Sequence, residues 1–255
     1  MALLVFMGHA VLGQKDSTKT GKNNGTYYSH QKDTTTKKKP TYASLNLANR
    51  PNDHFIMEFS YDNWVGKTDS MRTTGFCRGF GAFFMFDFPF KTDPHWSVGA
   101  GIGIYVNNIF FDKTLVLVAQ PTQTLAFRDV SQTFHFKKYK LVTTDLDIPL
   151  ELRYAFNPEN TNKSWKIALG IRVGVLLSAY TKAKNLLDVN GNEVQNYIEK
   201  TSSKQFFNSG HAIATMRVNY GWIGVFGTYQ LTPLIANNAG PAVYPYSIGL
   251  VLSGL

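Results

Sequence analysis

The residues best suited to nucleophilic chemistry are Ser209 and His211, which lie two positions apart in an alternating segment. Residues two apart on a β-strand point to the same face, so their side chains could touch. A histidine beside a serine could activate the hydroxyl for acyl transfer on a lipid. A working pair also needs a group that orients the histidine and an oxyanion site, and the sequence marks neither. The pattern favours a hydrogen-bonding role for His211.

A second candidate is the pair of carboxylates Asp145 and Asp147. Paired carboxylates can divide acid and base roles between them, but residues two apart on a strand are common and usually structural. The histidines His54, His95 and His135 are far apart and show no metal-ligand spacing. We therefore expect a protein without catalytic residues, without a metal site and without a cofactor, and not an enzyme.

The element that carries these carboxylates is the segment 143–156, TTDLDIPLELRYAF, whose two faces differ sharply. One face is apolar, and the other presents Asp145, Asp147, Pro149, Glu151 and Arg153. A period of two predicts a β-strand with two unlike faces. Pro149 lacks a backbone N–H, so we expect a bulge or a missing hydrogen bond at this position.

The same alternation recurs in seven further segments, and we predict strands at 54–64, 75–90, 95–107, 165–181, 208–220, 222–231 and 244–255. Arg78 interrupts the apolar side of its strand, where a lipid headgroup level would tolerate it. Short connections at 91–94, 157–164 and 221 alternate with long ones, of which the longest are 108–142 and 182–207. This alternation is typical of outer-membrane barrels, and long structureless loops would be unusual in a compact soluble domain.

Aromatic residues mark two levels of the predicted strands, one beside the short turns and one at the far strand ends. Such levels match the girdles at two membrane interfaces. The interface residues that we predict are Trp64, Phe90, Trp96, Trp165, Tyr220 and Trp222. A soluble eight-stranded barrel of the lipocalin type is the alternative. It is disfavoured because the polar face is rich in glycine and would leave a soluble exterior nearly bare.

The expected fold is therefore an all-β, eight-stranded antiparallel up-and-down transmembrane β-barrel. By parity its lumen receives ten charged side chains, six acids and four bases: Glu58, Asp62, Asp87, Asp145, Asp147, Glu151, Arg153, Lys166, Arg172 and Arg217. Eight strands leave a lumen only wide enough for side chains, and buried charges require partners. We expect a paired, structural network that closes the pore. A narrow proton or ion path is the counter-hypothesis.

Composition and charge divide the chain into three parts. Residues 1–13 are apolar and resemble a signal peptide, with a buried first strand as the alternative. Residues 14–52 form a polar extension that carries eight Lys or Arg against two Asp, most of the net charge of +9. Because the basic excess sits mainly in this segment, nucleic acid is not an expected partner. Residues 53–255 form the barrel, and a single cysteine excludes an internal disulfide framework.

Four motifs carry a resemblance to a known family: NRPNDH at 49–54, DIPLELRY at 147–154, GTYQLTPL at 227–234 and YSIGLVL at 246–252. With these the chain resembles the PorT-like outer-membrane β-barrel family of Bacteroidetes, over roughly residues 49 to 255. The resemblance implies an outer-membrane address in a Gram-negative bacterium and, through PorT itself, a part in type 9 secretion. Many outer-membrane barrels end in an aromatic residue, whereas this chain ends in Ser-Gly-Leu.

The sequence is consistent with three functions. The first is a non-enzymatic barrel that binds or assembles through its loops, with the N-terminal extension and the C-terminus in the periplasm. The second is a subunit of a type 9 secretion or envelope-assembly complex, and the third is a lipid-modifying enzyme. The expected partners are outer-membrane lipid, the barrel-assembly machinery during biogenesis and, for the second function, secretion-system proteins.

Overall fold

The computed structural model describes residues 54–74 and 76–254. The expected signal peptide (1–13) and polar extension (14–52) lie outside the described residues. The described part contains eleven strands and a short 3₁₀ helix at Thr161–Lys163. The strands are β1 (Phe55–Val65), β2 (Arg78–Pro89), β3 (Trp96–Phe111), β4 (Thr114–Leu117), β5 (Ala126–Asp129), β6 (His135–Ala155), β7 (Trp165–Leu187), β8 (Glu193–Ser202), β9 (Gly210–Tyr220), β10 (Ile223–Gln230) and β11 (Tyr244–Ser253).

Eight of these strands form a closed antiparallel ring in the order β6-β3-β2-β1-β11-β10-β9-β7, and β7 pairs back with β6. The first and last strands meet along their whole length, from Ile56↔Ser253 to Val65↔Tyr244. Each of the eight barrel strands otherwise pairs with the barrel strand before it and the barrel strand after it in the chain. The predicted eight-stranded up-and-down barrel is therefore confirmed. No helix in the described part of the chain is long and apolar enough to cross a membrane.

Inside and outside are reversed relative to a soluble barrel. Inward side chains such as Glu58 and Asp147 are 2% and 0% exposed, whereas outward Leu150 and Ile102 are 45% and 51% exposed. A continuous apolar exterior of this size is unfavourable in water and marks a membrane or protein contact. The alternation along each strand therefore sends charge to the lumen and apolar bulk to the outside.

The longest predicted loops are corrected by the structure. Segments 108–142 and 182–207 are mostly strand, because β3 runs to Phe111, β6 starts at His135 and β7 continues to Leu187. β4 and β5 form a separate hairpin, and β8 pairs with the far end of β7 from Tyr180↔Ser202 to Leu187↔Glu193. The apolar pieces 115–119 and 134–136 of the first segment fall largely on β4 and β6, so this segment forms hairpins and not a loop.

The proline in β6 interrupts one ladder without a bulge. Pairing with β3 passes from Leu150↔Ala100 to Asp147↔Gly103 and omits the two pairs between them, while the register is unchanged. Pairing of Pro149 with Arg172 on β7 continues, and the register shift between β6 and β7 lies at Thr144/Asp145. The expected missing hydrogen bond is thus found on the β3 side.

Apolar side chains fill the barrel at the end that carries the long connections. We call this cluster the apolar lid; its main members are Trp64, Phe111, Val116, Val118, Leu125, Leu141, Phe206 and Ile235. The β4–β5 hairpin lies at its centre. The Tyr139 hydroxyl donates to Val116 O (2.8 Å) and accepts from Val116 N (3.1 Å).

The same hairpin contacts the other connections around the mouth of the barrel. Arg72 pairs with Asp129 (3.3 Å), Gln205 donates to Gln120 O (2.7 Å), and the Leu125 N–H donates to Ala239 O (2.7 Å). The Ser131 N–H donates to the Asp129 carboxylate (2.8 Å) and lowers the pKa of that group. The hairpin therefore bridges three separate connections across the end of the barrel.

Glycines in the lumen make room for the charged side chains. A Cβ at Gly174 would meet the carboxylate of Asp147 and would lie 2.7 Å from His211 Nε2. A Cβ at Gly99 would lie 2.6 Å from the Arg153 guanidinium. These contacts are closer than carbon atoms tolerate, so side chains would have to shift inside a closed ring of strands.

We expect Gly174→Ala to lower the free energy of unfolding by about 1–3 kcal/mol, as overpacking does in other tightly packed interiors. The matched control is Gly227→Ala on the outer wall, where the nearest atom to the added methyl is Ser247 O at 3.9 Å. Urea unfolding of both variants in detergent micelles measures the difference. Equal stabilities would contradict a lumen that is packed against Gly174.

Candidate functional site

The ten charged residues predicted for the lumen all lie on inward positions of the barrel strands. Eight are buried, and Asp87 and Lys166 are half-buried near the short turns. They separate into three groups along the barrel axis. The groups follow one another from the short-turn end to the apolar lid.

The group nearest the short turns is centred on Glu151. Arg153 Nε and Arg217 Nη2 both donate to Glu151 Oε2, at 2.9 and 2.6 Å, and Arg153 Nη1 approaches Asp87 Oδ1 at 3.4 Å. Glu151 is flanked by Gly99 on β3 and Gly170 on β7 in the ladder, so both arginines can reach it. Lys166 lines the adjoining cavity of about 20 Å³.

The middle group is an ion pair across the lumen between Glu58 on β1 and Arg172 on β7, and both side chains are buried. The Arg172 guanidinium also lies over the Phe83 ring, 4.3 Å from its centre. Removal of one partner from a buried pair usually costs about 3–5 kcal/mol, because the other charge stays buried alone. Because β1 and β7 lie opposite each other in the ring, the pair links opposite walls of the barrel.

The third group lies below the apolar lid and joins His211 to Asp147. His211 Nε2 is 2.7 Å from Asp147 Oδ1, although the two strands are separated by β7. Asp147, Gly174 and His211 occupy one row of the sheet, and the missing side chain at Gly174 allows the contact. Beside them, the Ser60 hydroxyl contacts both Asp62 (2.5 Å) and Tyr105 (2.6 Å).

His211 has the hydrogen-bonding role that the sequence favours, but its partner is not Ser209. Ser209 is exposed, and its backbone carbonyl accepts a hydrogen bond from Leu176 N. The carboxylate that orients His211 comes from Asp147, 64 positions away in the chain. Only the strand register, which places a glycine between the two residues, could have revealed this pair.

An aspartate–histidine pair can orient a general base, but the space around this pair is small. The adjoining cavity measures about 20 Å³ and is lined by Tyr105, Asn107, Asp145, Gln230 and Ser247, among others. This volume holds about one water molecule. Within residues 54–74 and 76–254, no group of three or more His, Cys, Asp or Glu is placed to hold a metal ion.

Five of the six predicted interface aromatics lie on the outer wall at the short-turn end, and each is more than a third exposed: Phe90, Trp96, Trp165, Tyr220 and Trp222. Trp165 and Tyr220 contact each other at 5.3 Å between ring centres. The prediction for Trp64 is wrong. The Trp64 side chain is 5% exposed and packs against Phe111 inside the lid. Trp64 lies two residues after Asp62 on the same strand, so both side chains point inward.

This chain is similar to proteins of known structure. Two crystal structures of Ail, the attachment invasion locus protein of Yersinia pestis, one of them with the heparin analogue sucrose octasulfate, are similar to this chain. Their sequence identities are 11% and 10%, their TM-scores are 0.35, and each match covers 78% of this chain and 95% of Ail. No curated protein matches the chain.

A family model gives the assignment. The model for the outer membrane protein beta-barrel domain matches residues 60–234, which include nine of the ten charged residues of the lumen, all but Glu58, and most of the apolar lid. This match spans well over half of the chain and agrees with the closed ring and its apolar exterior. The chain belongs to the family of outer membrane protein beta-barrel domains and is a protein of the outer membrane.

Proposed function

We propose that this protein is a non-enzymatic outer-membrane barrel with a closed lumen. Its role is to bind or assemble with other molecules through the surface of its long-loop end. The proposal rests on the observation that the barrel is closed at two levels, one polar and one apolar. Ion pairs connect the walls within the lumen, and the apolar lid fills the mouth above them. A conducting pore would need a continuous polar path through both.

The proposed topology places the short turns, the N-terminal extension and the C-terminus in the periplasm. Both ends of the barrel domain support it, since Phe55 and Ser253 lie at the short-turn end with the 91–95 turn. Short periplasmic turns and longer outer loops are the rule for this class of barrel. The lid and the β7–β8 hairpin would then face the cell exterior.

A second candidate function is a subunit of a type 9 secretion or envelope-assembly complex. It rests on the PorT-like motifs, of which DIPLELRY forms the Asp147–Glu151–Arg153 part of the lumen network. Stable co-purification with secretion subunits would favour it over the first proposal. A lipid-modifying enzyme is not favoured, because His211 is bonded to Asp147 beside a cavity that holds about one water.

The closed lumen predicts an absence of steady conductance. Purified full-length barrel inserted in a planar bilayer in concentrated KCl should stay at the bilayer baseline, since no ion can pass the lid without desolvation. A steady ohmic current that grows with salt concentration would contradict the proposal. Detergent-folded protein, checked by its β-sheet circular dichroism, serves as the input in every recording.

A structural role for the Glu58–Arg172 pair is tested by a double-mutant cycle. We expect Arg172→Met to lower the free energy of unfolding by about 3–5 kcal/mol, because it leaves Glu58 buried alone. The double variant Glu58→Gln/Arg172→Met should recover a large part of that loss, because it removes both charges of the pair and leaves neither one buried alone. Lys163→Met, at an exposed site, is the control. Additive effects in the cycle would show that the pair is not coupled.

The topology is tested by cysteine labelling of whole cells. Asn190 lies at the exposed tip of the β7–β8 hairpin and Asn160 in the exposed turn before β7, while the native Cys77 is buried. We expect Asn190→Cys to react with a membrane-impermeant maleimide on intact cells. Asn160→Cys should react only after permeabilisation. The opposite pattern would reverse the topology.

A further inference from the structure

Basic side chains from four strands, β2, β6, β7 and β8, form a row around part of the outer wall. The register places Arg78 beside Asn108, Lys140 beside Lys182, and Lys182 beside Lys200. Lys138 and Lys184 face each other one step further toward the long-loop end. We call these six residues the basic row: Arg78, Lys138, Lys140, Lys182, Lys184 and Lys200.

The row points outward and lies just beyond the apolar exterior. On β6 the inward residues are Tyr139 and Leu141 of the lid cluster, so Lys138 and Lys140 point away from the lumen. One step toward the short-turn end, Tyr180 pairs with Val142, and the Lys200 ammonium lies over the Tyr180 ring at 4.1 Å. An aromatic residue followed by a cation is the order expected where hydrocarbon gives way to headgroups.

Like charges occupy directly opposed positions in this row. Lys138 opposes Lys184, and Lys182 is opposed by Lys140 on one side and by Lys200 on the other. Directly opposed like charges destabilise a sheet. Glu199 belongs to the other face of β8, since it pairs with inward Ala183 and lines a cavity beneath the hairpin. An anion that shares the site would offset this repulsion.

A surface cavity of about 430 Å³ combines this charge with aromatic rings. Arg78, Lys138, Lys140, Lys182 and Lys184 line it, and no acidic residue is among its described lining residues. The Phe110 ring has the Arg78 guanidinium and the Lys140 ammonium each 5.6 Å from its centre. Exposed Phe76 lies in the same wall. The site thus offers cations and an apolar surface side by side, as an amphiphile with an anionic headgroup requires.

The opposite wall of the barrel has a different character. The outward positions of β9, β10 and β11 carry no charged residue, and include Ala212, Ala214, Val225, Tyr229, Ile248 and Leu250. The basic row is therefore a local site on one side.

We propose that the basic row binds the phosphate groups of a phosphorylated lipid in the leaflet at the long-loop end. In the outer leaflet of an outer membrane the lipid of this chemistry is lipid A. Lysine ammonium groups bind phosphate as point charges, and Phe76 and Phe110 contact the apolar part of the same molecule. The assignment to the outer leaflet rests on the proposed topology, whereas the phosphate chemistry does not.

The test uses purified full-length barrel in detergent micelles and native mass spectrometry, with diphosphoryl lipid A and its dephosphorylated form as probes. We expect the diphosphoryl form to bind at least about tenfold more tightly. Lys182→Glu/Lys184→Glu should weaken its binding at least about tenfold, because it reverses two charges beside the cavity. Lys163→Glu/Lys204→Glu, an equal charge change at exposed sites outside the row, should stay within about twofold of the parent.

Each outcome decides the proposal. Equal binding of the two lipid A forms, or equal losses in the two double variants, would overturn it. Displacement by inorganic phosphate alone would overturn it as well, since the occupant would then be a soluble anion and not a lipid. β-Sheet circular dichroism confirms that each variant is folded. Binding is measured in detergent, so its failure leaves the topology result from cysteine labelling unaffected.

Discussion

Closure of the backbone ladder is the constraint on which the rest of this structure depends. In hydrocarbon every N–H and C=O must be paired within the protein, so the sheet has to close, and β6 with β7 completes the ring. Eight strands leave little space inside. Any charge that points inward must then find a partner within the lumen. Glu151 and Glu58 meet this requirement through ion pairs with Arg217 and Arg172, and Asp147 through its contact with His211, so each contact joins strands far apart in the chain.

A second feature is an inversion of polarity along the same strands. Within the membrane, inward positions carry Asp145, Asp147 and Glu151 and outward positions carry leucine and valine. Beyond it, the same inward parity of β6 carries Leu141 and Tyr139, and the outward parity carries lysine. The strand segments near the short turns present apolar side chains to lipid, and those near the long loops present lysine to water. One continuous ladder of hydrogen-bonded strands runs through both. The basic row and Tyr180 lie at the level where the change occurs.

This inversion explains which predictions succeeded. Strands 143–156 and 165–181 were found because lipid demands an apolar exterior, and that demand produces a strong period of two. Their extensions to His135 and Leu187 were missed, because the outward face turns to lysine there and the segment resembles a polar loop. Trp64 was assigned to the interface by its position near a strand end, although its parity with Asp62 and Glu58 already pointed inward.

The sequence alone determined the number of barrel strands, the face that each presents to lipid and the charged residues of the lumen. These features follow from the alternation of apolar and polar residues along each strand, because successive side chains of a pleated strand point to opposite faces of the sheet. Only the tertiary structure decided the partners, because register brings distant residues into one row. It set His211 against Asp147 across Gly174, Glu58 against Arg172 across the lumen, and the β4–β5 hairpin into the mouth of the barrel.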